Sequence, residues 1–270
     1  MTATDTHEQT IKICIAGATG RMGSVVARES ATRFQIVGAV AAQSDPAVGR
    51  SLRSLNIAPA DVIVSPPTDI VKAAEDCDVY ISFTNPEAEL TNLPALVAMR
   101  KPLVIGTTGF TEDQKGRFES IITPVPAVVS SNFSIGANYL LALAAFISNL
   151  PEDFDFSIIE AHHSLKTDSP SGTAKRLIDI ISARRGYTSV VSGRSGLSKR
   201  TRHELEAFSV RAGGIPGIHL VLASGSHEFI KLEHNVFSRS AFAEGALLAA
   251  RWVIGRRPGI YSMAQVLGMT

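Results

Sequence analysis

Cysteine is scarce in this chain: Cys14 and Cys77 are the only two among 270 residues. Both fall in apolar, strand-like stretches, so two buried free thiols are expected rather than a disulfide, and with them a reducing, cytoplasmic compartment. Long hydrophobic runs are missing too. The longest, near Leu140 to Ile147, is far too short to span a bilayer. The first ten residues, Met1 to Thr10, are polar and hold no apolar signal core. Charge of one sign is not in excess either: 26 Lys and Arg face 25 Asp and Glu, a net charge of +1. That balance argues against a broad nucleic-acid or anionic-membrane surface. Repeats and low-complexity tracts do not occur. What remains is an ordinary soluble globule, 45% hydrophobic and 19% charged, with length for one large domain or two modest ones.

Up to about residue 130, short apolar runs alternate with helix-like segments. Ile11–Ala16, Phe34–Ala42, Val62–Ser65, Val79–Phe83, Leu103–Gly106 and Ala127–Ser130 read as strands. Their β-branched runs lack strict alternation, as expected for a parallel sheet covered on both faces. Met22–Ser30, Ile70–Glu75, Glu87–Met99 and Glu112–Ile121 read as the intervening helices. This is the pattern of an α/β, Rossmann-like doubly wound parallel sheet. Beyond Asn132 the pattern changes. A long apolar helix, Ile135–Leu150, precedes a strand, Phe154–Ala161, and a helix from Ser171 to about Ser182. A Gly, Ser and Arg-rich loop, Ser192–His203, then leads to Phe208–Ala212, His219–Ser224 and Glu228–Asn235. Consecutive strands without helices between them predict a second, α+β domain with an open antiparallel or mixed sheet, whose edge makes oligomerisation plausible. A final helix, Ala241–Ile254, is expected to return to the first domain. The division is therefore 1–132 with 240–270 for dinucleotide binding, and 133–239 for substrate and oligomer contacts.

Gly17-Ala18-Thr19-Gly20-Arg21-Met22-Gly23 follows the first strand and opens the first helix. In that context glycines permit a tight turn and close approach of a pyrophosphate to the helix N-terminus. Gly17 makes the turn, Gly20 the approach and Gly23 the helix–sheet packing. The acidic residue expected at the end of the second strand is missing, because that position falls at Ala41-Ala42-Gln43. Asp45 lies slightly too far along, and Arg50 and Arg53 farther still. Weak discrimination, less than about tenfold between NADH and NADPH, is the resulting expectation.

The densest chemistry lies in Glu160–Ala174, Glu-Ala-His-His-Ser-Leu-Lys-Thr-Asp-Ser-Pro-Ser-Gly-Thr-Ala. His162 and His163 can exchange protons near neutral pH, and Lys166 adds a positive charge. Pro170 sits where a helix would begin, and Ser171-Gly172-Thr173 would present backbone N–H groups at its positive end. A proton donor beside a carboxylate cradle points to an enzyme acting on a small acid.

Taken together, these segments resemble the 4-hydroxy-tetrahydrodipicolinate reductase (dihydrodipicolinate reductase) family over almost the whole chain. The likeness also rests on Phe83-Thr84-Asn85-Pro86-Glu87, Gly106-Thr107-Thr108-Gly109-Phe110, Ser131-Asn132-Phe133-Ser134-Ile135-Gly136, Val210-Arg211-Ala212-Gly213 and Ser238-Arg239. The resemblance implies NADH or NADPH, with Gly17, Gly20, Arg21 and Met22 under the pyrophosphate. Gly106, Thr107, Thr108, Ser130, Ser131, Asn132 and Phe133 would line the nicotinamide side. It implies His162 as general acid with Lys166 as its partner, and His163, Lys166, Gly172 and Thr173, beside the helix start at Ser171, as ligands of the substrate's carboxylates. The substrate would be a cyclic imine with two carboxylates, reduced in lysine and diaminopimelate biosynthesis. Closure of the two domains is expected to assemble the site, and a homotetramer is implied.

The chain departs from the family at Ala42, at Gly217-Ile218-His219 where Gly-Glu-His is familiar, and in the charged His203-Glu204-Leu205-Glu206. Other readings fit less well. No tyrosine has a lysine four places on, as a short-chain reductase requires. A pure NAD(P) sensor would need no acid–base residues. Adjacent His162 and His163 diverge in extended chain, so no metal is expected. The basic loop Arg194–Arg202 lacks interleaved aromatics and is read as solvated or substrate-closing, not as a nucleic-acid patch. Arg239 is a weak site candidate.

Overall fold

The computed structural model describes residues 10–269, so all but Thr10 of the polar N-terminal stretch lies outside the described residues. In chain order the first elements are β1 (Lys12–Ala16), α1 (Gly23–Ser30), β2 (Gln35–Val40), β3 (Val64–Ser65), α2 (Ile70–Ala74), β4 (Val79–Ser82), α3 (Pro86–Ala98), β5 (Leu103–Ile105), α4 (Glu112–Ile122) and β6 (Pro126–Val129). Next come α5 (Ile135–Ile147), β7 (Asp155–His162), α6 (Gly172–Arg185), β8 (Ser189–Val191), β9 (Glu204–Arg211), β10 (Ile218–Ser224) and β11 (Phe229–Asn235). The chain ends with α7 (Ser240–Val253), β12 (Gly259–Tyr261) and α8 (Met263–Val266). Two compact units result: one runs to Phe133 and resumes at Phe242, the other takes Ser134–Ala241.

In the first unit, seven parallel strands lie in the order β12-β6-β5-β4-β1-β2-β3. Alternate side chains of each strand enter opposite cores. Ile13 and Ile15 join Val26, Ala27, Leu247 and Val253 on one face, while Cys14 and Ala16 join Leu93, Leu96, Phe118 and Ile122 on the other. Both cysteines are buried and free. Local chemistry starts the helices: Asn85 accepts the Ala88 N–H ahead of Pro86, and Thr111 with Gln114 forms a capping box.

The second unit holds a mixed five-stranded sheet, β11-β10-β7-β9-β8, in which β10 is antiparallel to both neighbours and β7, β9 and β8 run parallel. Its helix-covered face buries Leu140, Ala144, Leu177 and Ile181 against Phe156, Ile158, Leu205, Ala207, Val221 and Ala223.

Some boundaries differ from those read in the sequence. β9 begins at Glu204 rather than Phe208 because Glu204 and Glu206 are paired, not solvated: Arg194 bridges both, and Arg200 reaches Glu206 at 3.7 Å and Asp155 at 3.0 Å. The basic loop is thereby tied to the sheet, so its two central arginines are not free cations, and the charged departure at 204–206 is matched by charge. The short strands β8 and β12 and the helix α8 carry too little periodicity to be read from sequence. Among the described residues, no helix is long and apolar enough to cross a membrane.

Helix α7 approaches the end of the first unit's β6 segment at Gly245, where a Cβ would lie 1.8 Å from the Phe133 carbonyl oxygen. Gly245→Ala is therefore expected to destabilise the chain by about 1–3 kcal/mol, the usual cost of overpacking, read as a lower urea midpoint at unchanged m-value. An unchanged midpoint would mean that α7 is free to move outward.

Candidate active site

Strand β1 lies between β4 and β2, so the strand order reverses at its carboxyl end, the usual crevice of a doubly wound sheet. Gly17–Gly23 sits at that point. Gly17 takes φ 72°, and a Cβ there would meet the Phe83 carbonyl oxygen at 2.4 Å. A Cβ on Gly23 would lie 2.0 Å from the Gly17 carbonyl oxygen, so this glycine lets the turn fold onto its own helix. Helix α1 starts at Met22 without a side-chain cap. An open glycine cradle before an uncapped helix suits a pyrophosphate. Arg21 is exposed beside it, and Thr19 donates to Asp45 Oδ2 at 2.6 Å. Asp45, set aside on spacing alone, thus reaches the glycine loop, and the Thr19 hydroxyl and the Ala47 N–H hold its carboxyl below the ordinary range.

Gly106, Thr107 and Thr108 follow β5, and Ser130–Phe133 follow β6, at the same end of the sheet. Only some of these side chains are open to a ligand. Thr108 and Ser131 are exposed, whereas Thr107 turns inward. Its hydroxyl accepts the Thr84 N–H at 3.0 Å and donates to buried Glu89 at 2.5 Å, which also takes the hydroxyls of Ser82 and Thr84. Burial raises the Glu89 carboxyl despite these three donors. Ser130 closes a turn onto Asn132. Phe133 is buried and packs edge-on against Phe83, with 5.7 Å between ring centroids, so its ring belongs to the core.

In the second unit, β7 carries Phe156, Ile158, Glu160 and His162 on its helix-covered face, by period-two alternation. The face is apolar at first and turns polar at the carboxyl end. Parallel pairing sets Glu160 beside Ser209 and His162 beside Arg211 on β9, and β10 sets His219 beside Glu160. Glu160 accepts from His162 Nδ1 at 2.5 Å, from the Arg211 guanidinium at 2.8 and 3.0 Å, and from the Ser171 N–H at 3.2 Å. Burial would raise this carboxyl, but Arg211, Ser209 and His162 overcome it and hold it down at about 2. His162 is lowered by burial and by the charges of Lys166 and Arg211, against the opposing pull of Glu160.

Ser171 caps α6 by accepting the Ala174 N–H, and its hydroxyl contacts His219 Nε2 at 3.1 Å. Helix α6 therefore begins at Gly172, and Pro170 precedes the cap instead of opening the helix. Burial pushes His219 down to about 4, and its ring stands edge-on to His162, centroids 5.1 Å apart. Gly172 is exposed and Thr173 is buried in the first turn. His163 is half-buried, and its carbonyl accepts the Lys166 N–H. The Lys166 ammonium pairs with Asp168 at 2.6 Å, while the Asp168 carbonyl accepts from Arg211. Arg239 is exposed. Among the described residues, no cluster of three His, Cys, Asp or Glu could hold a metal ion.

Known proteins bear the same two-part arrangement. Residues 11–133 match the N-terminal model of dihydrodipicolinate reductase, and residues 136–267 match its C-terminal model. The 4-hydroxy-tetrahydrodipicolinate reductase of Methanoregula boonei is 38% identical over 259 residues, covering 96% of this chain and 98% of its own. That of Methanopyrus kandleri is 40% identical over 265 residues, covering 95% and 96%. The chain belongs to the dihydrodipicolinate reductase family. It is accordingly an NAD(P)H-dependent oxidoreductase. The fold is shared with a dipicolinate-bound dihydrodipicolinate reductase from Paenisporosarcina sp. TG-14, at a TM-score of 0.73 and 23% identity, covering 95% of this chain and 98% of that one.

Within this family's architecture, sequence reasoning overlooked Glu160, Arg211 and His219 as parts of the site. Glu160 carried a legible signal, since residues two apart on a strand share a face. Arg211 and His219 did not, because only strand pairing brings them to β7. The depressed Glu160 carboxyl has a consequence for acid stability. Its folded value of about 2 lies under the ordinary 4.5, so its contribution is complete above pH 4.5 and is lost as pH falls toward 2. Urea midpoints measured between pH 5 and 3 should fall with acidity, and less steeply in Glu160→Gln; parallel curves for the two chains would deny the carboxylate that role.

Proposed function

We propose that this chain reduces 4-hydroxy-tetrahydrodipicolinate, by way of its dehydrated conjugated imine, to tetrahydrodipicolinate in lysine and diaminopimelate biosynthesis. One observation carries the reading: Glu160 holds both the His162 ring and the first N–H ahead of α6. An acid and an amide-rich helix start thus share one carboxylate, close enough to serve one small ring bearing two carboxylates. Loss of water from the substrate leaves an imine whose ring gathers negative charge as it is reduced. His162 delivers the proton that quenches this charge, and Lys166 assists. Ser171, Gly172 and Thr173 at the positive end of α6, together with His163 and Lys166, hold the carboxylates. The Lys166–Asp168 pair must open, or shift, for Lys166 to meet a substrate carboxylate.

A bound nicotinamide supplies the hydride. Gly17, Gly20, Arg21 and Met22 seat its pyrophosphate, and the segments Gly106–Thr108 and Ser130–Phe133 border the nicotinamide, with Phe133 contributing backbone. Asp45 revises the expected cofactor balance. Its ionised carboxylate at Thr19 suits a ribose hydroxyl and repels a 2′-phosphate. Open sheet edges at β8 and β11 support a homotetramer built through the second unit, and two free buried thiols support a cytoplasmic setting.

The test is to mix the chain with reduced cofactor and enzymatically generated hydroxy-tetrahydrodipicolinate, then follow nicotinamide absorbance. No decay above background would overturn the reading. His162→Gln is expected to cut turnover by roughly 10²–10⁴ with modest change in KM, because a general acid is lost while binding survives. For the cofactor, Asp45→Asn should shift the ratio of equilibrium dissociation constants toward NADPH by roughly three- to tenfold. A ratio that stays put would assign ribose reading to another residue.

A further inference from the structure

The proton carried by His162 raises a question that the family's acid–base pair leaves open: which ring nitrogen releases it. Glu160 is buried, yet both its oxygens are engaged by donors. Oε1 takes Arg211 Nη2 and the Ser171 N–H, and Oε2 takes Arg211 Nη1 and His162 Nδ1. The two guanidinium bonds form a fork, which holds a carboxylate in its ionised, acceptor-only form. A nitrogen 2.5 Å from such an oxygen must carry the hydrogen. Nδ1 is therefore spoken for, and Nε2 is left to the chemistry.

The surroundings of Nε2 agree with this division. A Cβ placed on Gly217 would stand 3.3 Å from Nε2, so the absent side chain keeps room beside that nitrogen. Every charged or titratable group that faces the ring has a place in the same cluster. Glu160 lies on its own strand, Arg211 on β9, His219 on β10 and Lys166 in the loop that follows. His219 does not compete as a proton donor: burial keeps its ring neutral, and the Ser171 hydroxyl occupies its Nε2. Arg211 also grips the carbonyl of Asp168, whose carboxylate holds Lys166. One guanidinium therefore ties the acid's orienting carboxylate to the loop of its cationic partner.

Building on the reductase reading above, we infer that Arg211 and Glu160 are positioning residues for the reduction. Arg211 fixes Glu160 as a carboxylate, Glu160 takes the Nδ1–H of His162, and the proton given to the substrate leaves from Nε2, which is refilled from water. Neither residue touches substrate; both act through His162 and Lys166.

The experiment uses the full chain and needs no bound ligand for its main readout. Ring nitrogen-15 chemical shifts of His162, assigned by their loss in His162→Gln, should report the Nδ1–H tautomer at pH 8. Glu160→Gln should lose that preference and lower the pKa seen in kcat/KM, since the carboxylate that favours the imidazolium is gone. Its kcat should drop on the order of 10²-fold or more, with cofactor dissociation constants within about threefold. Arg211→Ala should behave similarly and regain turnover when guanidinium is added. Gly217→Ala serves should either variant fold poorly: the tautomer should persist while kcat falls, because a methyl group crowds Nε2. Wild-type turnover separates this inference from the functional reading. Its absence overturns that reading and the role in reduction with it. Turnover accompanied by an Nε2–H tautomer, or a Glu160→Gln rate equal to wild type, overturns the positioning role alone.

Discussion

A single buried carboxylate organises the second unit of this chain. Glu160 sits where β7 leaves the apolar core, and burying a charge there without partners would cost several kcal/mol. It is compensated by a guanidinium fork, an imidazole and a backbone N–H, drawn from β9, β7 and the start of α6. Each partner is one that the chemistry requires elsewhere. The imidazole is the proton donor, the N–H belongs to the cap of the helix that faces the substrate's carboxylates, and the guanidinium restrains the loop that carries Lys166. Satisfying the carboxylate and assembling the site are thus the same event.

The first unit meets a different constraint. Its glycine turn must bring a helix start close to a strand end, and the contacts at Gly17 and Gly23 leave no room for a Cβ. Around it, buried Glu89 plays for the β4 and β5 ends the part that Glu160 plays for β7. It gathers the hydroxyls of Ser82, Thr84 and Thr107, and so fixes the loops that follow those strands. The difference lies in charge. Glu89 has neutral donors alone and is pushed toward its protonated form, whereas the Arg211 fork keeps Glu160 ionised.

Much of the fold was legible because apolar periodicity survives in the sequence. The strands of the first sheet and the long helices α3, α4, α5 and α7 were found within a few residues. Elements were missed where other forces set them. β9 was shortened by Glu204 and Glu206, whose charges look solvent-facing until Arg194 and Arg200 are seen against them. β8 and β12 are held by pairing to a neighbour rather than by a pattern of their own. In the site, the glycine turn, His162, Lys166 and Ser171-Gly172-Thr173 stood out through local spacing. Phe133 and Thr107 did not behave as their position suggested, since burial in the core claimed their side chains.

By itself, the order of residues determined two things here: the reversal of chain direction at the glycine turn, and the alternation that puts Glu160 and His162 on one face of β7. Both are properties of neighbours along the chain, governed by backbone sterics and a two-residue repeat. Only the tertiary structure decided that Arg211 lies 51 residues away yet beside Glu160, that His219 stands against His162, and that Asp45 returns to Thr19. Those meetings depend on which strands pair and in what register, and on how a loop folds back. Such choices are set by the packing of whole layers, so no short stretch of sequence records them.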